Sequence, residues 1–215
     1  EIGVRLVGSE MCIRDSYDTK RTSSKDPNPD LRDSPVPGAN DGASGVAVLV
    51  ELARLIPQAM KDRRVILLFF DGEDGFEDCH PLAGSLYYTQ NLTATEREDI
   101  RSFILLDMVG DSHARFPKEG ISIANAPRWV SLIWDIAAEQ GTDYFVQELG
   151  ASVLDDHISF YHVGIPAISV IDLRPGFPTY WHTTADLPDN LSHYTLAAVG
   201  DVLMELLNSH WPPPE

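Results

Sequence analysis

VILLFFDGED, residues 65–74, decides the fold. The six apolar residues from Val65 to Phe70 read as a strand covered on both faces. Polar chemistry begins at its carboxyl end, with Asp71, Gly72, Glu73 and Asp74. The arrangement recurs in Phe103–Met108 (FILLDM), where Asp107 stands near the end, and a third buried strand follows in Ile165–Ile171 (IPAISVI). Helical patterns lie between and after these runs. Val46–Ile56 (VAVLVELARLI) carries apolar residues at helical spacing, begins after the turn Asp41-Gly42-Ala43-Ser44-Gly45 and is predicted to stop at Pro57. Pro127 opens a helix with Val130, Ile133, Trp134 and Ala137 on one face, and Gly141 closes it. Ser192 is placed to cap a last helix striped by Leu196, Val199, Leu203 and Leu206. Strands alternating with helices predict an α/β domain with a largely parallel sheet, which places ligands at the carboxyl ends of its strands.

The remaining composition narrows the function. The chain has 215 residues, 16 Lys+Arg and 33 Asp+Glu, for a net charge of −17. Nucleic acid and anionic membrane faces are therefore excluded as partners, since both would be repelled. No apolar run approaches the roughly 18–20 residues that span a bilayer, so membrane insertion is not expected. Cys12 and Cys79 are too few for a disulfide framework. The triplets starting at Asn91 and Asn190 carry little weight as glycosylation sites. Residues 1–16 have no clear period, and GSEMCIRDS looks like translated adapter sequence joined to a shortened reading frame. The predicted organisation is a non-native stretch at 1–16, a single catalytic domain at 17–210 and a tail at 211–215.

The chemistry lies in Asp41, the Glu73-Asp74 pair, Asp107, the triplet Asp155-Asp156-His157 and His182. Carboxylates directly after a buried strand are costly unless positively paired, and no Lys or Arg follows closely at Glu73, Asp74 or Asp107. A divalent metal would satisfy them. Asp41, Asp74 and His182 supply the O, O, N set of a catalytic zinc with an open fourth position. Glu73, facing the opposite way if the backbone is extended there, would be free to serve as acid or base. Each residue alone also has a plainer reading: Asp41 as a helix cap, His182 as a solvated loop residue, the acidic pair as ordinary loop.

Taken in order, PGANDGASGVAVLVELAR, VILLFFDGEDGFED, FILLDMVGD, DDHISFYHVGIPAISVIDL and YWHTTADLPDNLS resemble the M28 zinc peptidases, especially their glutaminyl-peptide cyclotransferase (glutaminyl cyclase) branch, over about residues 17–208. The resemblance implies a three-layer, zinc exopeptidase-like sandwich, incomplete at its N-terminus. It implies one Zn2+ held by Asp41, Asp74 and His182, with Glu73 as acid/base, Asp107 beside the metal, Asp155 in a hydrogen-bonded network near the substrate and Trp181 lining the pocket. Peptide or protein N-termini would be the substrates, and the location secreted or periplasmic. The expected product is N-terminal pyroglutamate. The alternatives are an M28 aminopeptidase, in which Asp107 would bind a second zinc, and an inactive binding fragment of the same fold.

The chain departs from the family pattern in three places. Ser16 stands where an H-Y-D motif has its His, Ser169 stands where the animal cyclases have a His, and the family's upstream strands are absent. The chain thus reads as a fragment with one sheet edge open. Outside the constellation, Trp129 and Trp134 are expected to serve core or surface packing and not substrate contact, Cys79 beside His80 is expected as an incidental loop cysteine, and His162 and His193 in solvent.

Overall fold

The computed structural model describes residues 10–59, 64–75 and 80–209. In chain order the elements are β1 (Glu10–Ser16), α1 (Ala43–Ala59), β2 (Arg64–Phe70), α2 (Ala83–Asn91), α3 (Ala94–Asp99), β3 (Ile100–Asp107), β4 (Phe116–Lys118), α4 (Gly120–Asn125), α5 (Pro127–Glu139), β5 (Phe145–Leu149), α6 (His157–His162), β6 (Ala167–Ile171) and α7 (His193–Ser209). The central sheet is parallel throughout, in the order β2-β1-β3-β6, and β4 and β5 form a small parallel pair of their own.

Successive strand side chains point to opposite faces, and the two faces bury different helices. Met11, Ile13, Ile104, Leu106, Ile168 and Val170 pack with α1, α5 and α7. Cys12, Phe103, Leu105 and Ala167 face the other way, toward α6, where Phe103 stacks on Phe160 with centroids 3.7 Å apart. The result is the expected three-layer arrangement. Trp129 and Trp134 belong to the first core, with the Trp134 indole donating to the Phe116 carbonyl at 2.9 Å. His162 and His193 are exposed, whereas Cys79 and the tail 211–215 lie outside the described residues.

Three local expectations change. The strand 65–70 is half-buried, not covered on both faces, and Phe69 is 44% exposed, because β2 stands at the edge of the sheet. Helix α1 runs through Pro57 to Ala59, since a proline in a final turn removes one N–H without ending the helix at once. Residues 10–16, in which the sequence shows no regular period, form an inner strand between β2 and β3, with Met11, Cys12 and Ile13 fully buried.

No described helix is long and apolar enough to cross a membrane. Ser192 Oγ accepts from Tyr194 N–H at 3.2 Å at the start of α7, as predicted for a cap.

Candidate metal centre

Asp41, Asp74 and His182 come from three loops at the carboxyl ends of β1, β2 and β6, and they converge. One ligand atom from each lies within 4.8 Å of the others. His182 Nε2 is 3.2 Å from Asp41 Oδ2 and 3.6 Å from Asp74 Oδ2. Tetrahedral ligands about 2.0–2.2 Å from a zinc are separated by about 3.3–3.6 Å, so the observed gaps suit one ion. Asp41 Oδ2 is buried and accepts no hydrogen bond, the state expected of an oxygen reserved for a cation. The other oxygen of Asp74 accepts from the Lys20 ammonium at 3.0 Å, which points Oδ2 toward His182.

The loops are held by buried polar groups that the sequence reading did not single out. Asp186, fully buried, accepts from the N–H groups of Asn40 at 2.8 Å and Asp41 at 3.0 Å. The Asn40 side chain accepts from Gly110 N–H at 2.9 Å and donates to the Tyr180 hydroxyl at 3.1 Å. Tyr180 in turn donates to Asp111, which pairs with Arg174, itself bound to Asp172 at the end of β6. The segment carrying Tyr180, Trp181 and His182 is thus fixed to the Asp41 turn. His182 has φ +57° and Met108, directly after Asp107, has φ +51°. Such backbone costs on the order of 1 kcal/mol or more and persists only where the surroundings enforce it.

Glu73 and Asp74 do not lie on extended backbone. They sit in a turn between Gly72 (φ +75°) and Gly75 (φ +66°), conformations available to glycine without a side-chain clash. The condition for placing Glu73 opposite Asp74 by strand alternation is therefore not met. Instead Asp18 accepts from Glu73 N–H at 3.2 Å and sets the turn. Burial, with the neighbouring Asp71, pushes the Asp18 carboxyl up to about 6. Beside this turn lies a cavity of about 310 Å³ lined by Asp18, Thr19, Arg21, Asp74 and Gly75.

Glu73 holds its proton far above the ordinary carboxylate range. Burial is the largest cause, followed by the charges of Asp155, Asp74, Asp156 and Asp41. Asp155 and Asp156 are buried at 5% and 1% exposure, and the Asp155 carboxylate accepts from Asp156 N–H at 2.6 Å. This concentration of carboxylates exceeds the positive charge that Lys20 and His182 can supply, and a divalent cation is the group that fits it.

Asp107 ends β3 and is half-buried, but it is not part of the three-residue group. Trp181 stacks on the His182 ring at 3.9 Å and lies tilted against Phe177 at 4.2 Å, with Lys25 over its face at 5.0 Å. The Ser16 side chain lies outside the described residues.

Comparison with known proteins gives the family and the fold. The model of peptidase family M28 matches residues 15–207. The crystal structure of Porphyromonas gingivalis glutaminyl cyclase superposes with a TM-score of 0.86 at 33% identity, covering 93% of this chain and 72% of that one. A leucine aminopeptidase precursor from Bacteroides thetaiotaomicron gives 0.85 at 33%, covering 94% and 72%. The glutaminyl-peptide cyclotransferase of Boiga irregularis is 29% identical over 213 residues, covering 80% of this chain and 56% of its own length, so the chain spans about half the length of the curated relatives it matches. With a family match spanning most of its length, the chain belongs to peptidase family M28.

Proposed function

We propose that this chain carries the catalytic domain of a zinc enzyme acting on peptide N-termini, and that its reaction is cyclisation of an N-terminal glutamine to pyroglutamate with release of ammonia. The observation that carries the proposal is the approach of Asp41, Asp74 and His182 at zinc spacing beside a carboxyl group of raised proton affinity. Zinc bound there would polarise the γ-carboxamide carbonyl and offset the surrounding negative charge.

Glu73 is the proton carrier. Its carboxylate takes a proton from the peptide's α-amine as the α-nitrogen bonds to the γ-carbon, and passes it to the nitrogen that leaves as ammonia. Asp155 contributes the largest neighbouring charge on Glu73 and keeps its proton affinity high. Trp181, half-buried and stacked on His182, forms a wall against which the substrate side chain rests. Asp107, at the end of β3, belongs to the polar surroundings of the substrate.

A second reading is favoured by the equally good superposition on a leucine aminopeptidase precursor. There Glu73 takes a proton from the water that attacks the first peptide carbonyl. Incubation with a Gln-initiated peptide and with Leu-p-nitroanilide, with and without chelator, separates the readings. Chelator-sensitive pyroglutamate supports the cyclase. Free leucine supports the aminopeptidase, and neither product leaves a binding fragment.

A further inference from the structure

Behind Asp155 lies a buried acid that the reaction itself does not use. Glu119 precedes α4 and is fully buried, as is His157 at the start of α6. The Glu119 carboxylate accepts from Ile121 N–H at 2.8 Å, Ser122 N–H at 2.6 Å and the Ser122 hydroxyl at 2.6 Å. It also reaches across to another segment. Val153 N–H donates to Oε1 at 3.1 Å, and His157 Nε2 lies 3.5 Å from Oε2. Val153 and His157 stand two residues before and two after Asp155. One carboxylate thus holds Val153 by a hydrogen bond and lies against the His157 ring, on either side of Asp155.

The neighbouring backbone strengthens the grip. Gly150 N–H donates to Lys118 O at 2.8 Å and Gly120 N–H to Ala151 O at 3.2 Å. A Cβ at Gly120 would collide with Ser152 Oγ, so the two segments approach closely there. Ser122 Oγ, held by Glu119, accepts from Ser169 N–H at 2.9 Å and ties the assembly to β6. Burial by itself would raise the Glu119 carboxyl, but the adjacent His157 ring and the Ser122 and Ile121 donors outweigh it and hold it down to about 2.

We propose that Glu119 is a positioning residue: by accepting from Val153 and lying against His157 it holds the segment that carries Asp155. The inference rests on the placing of Asp155 among the polar groups of the proposed site, and its test has a readout that does not. In metal-loaded Glu119→Gln, amide hydrogens of residues 151–157 should exchange about tenfold faster or more, while those of α1 and α5 stay within about twofold. Metal content should be unchanged, because none of the three ligands lies on this segment. Turnover on whichever substrate the parent chain accepts should fall about tenfold or more, with KM within about twofold to threefold. His157→Asn, which keeps the Val153 hydrogen bond, should give a smaller change confined to the same segment and stands in if the first variant does not fold. Unchanged exchange at 151–157, or exchange raised equally in α5, overturns the inference. A parent chain inactive on both substrates would sink the proposed function, and the exchange result would then decide the role of Glu119 alone.

Discussion

Asp186 Oδ2 accepts from the backbone N–H of Asp41 at 3.0 Å, so a buried carboxylate 145 residues away orients the turn that presents a candidate ligand. Its companion oxygen takes the Asn40 N–H, leaving neither oxygen's place open to a donor group. Asp186→Asn would set an amide NH2 against one of those N–H groups. Zinc affinity, measured by competition with a chromophoric chelator, should weaken about 10- to 100-fold while the circular dichroism spectrum is retained. Unchanged affinity would mean that the turn holds its shape without Asp186.

Glu73→Gln keeps the size of the side chain and removes its ability to carry a proton. Turnover should fall by about 10²- to 10⁴-fold, the usual contribution of acid–base catalysis, with bound metal per chain unaltered. Loss of metal alongside activity would instead make Glu73 part of the ligand set.

Glu119 makes stability depend on acid. Its carboxyl is held down to about 2 from an ordinary 4.5, so its stabilisation is complete above about 4.5 and is lost as the pH falls toward 2. The shift corresponds to about 3 kcal/mol at 1.36 kcal/mol per unit. Urea midpoints of the parent chain should drop steeply across this interval, and Glu119→Gln, less stable at neutral pH, should show a much flatter profile. Equal slopes in both would contradict the assignment.

Ser102, within β3, is fully buried and its hydroxyl finds no hydrogen-bond partner among the described residues. Ser102→Ala removes an unmet polar group at little cost in volume, so stability in urea should hold or rise by up to about 1 kcal/mol. A loss of more than about 1 kcal/mol would show that the hydroxyl has a partner such as an enclosed water.

The sheet was legible where apolar residues run together. Val65–Phe70, Phe103–Leu106 and Ala167–Ile171 are all strands, each a short apolar run, although the first is only half-buried. In β1 only Met11, Cys12 and Ile13 mark the core, between Glu10 and Arg14, too few residues to establish a period. Which strand lies at the edge depends on pairing, and so the exposure of Phe69 is not written in β2.

At the site, residue types and positions made Asp41, Asp74 and His182 candidates, and resemblance joined them. The supports stayed hidden because a buried acid is recognised by its partners. Lys20 to Asp74, Asp186 to Asn40 and Glu119 to His157 span 54, 146 and 38 residues, beyond the reach of any local pattern.

Metal content per chain tests the account most directly. After zinc loading and removal of excess, elemental analysis should find one zinc per chain in the parent protein, and close to none when Asp41, Asp74 or His182 is replaced by Ala. Two zinc ions per chain would favour the aminopeptidase reading. One zinc that survives all three replacements would contradict the site itself.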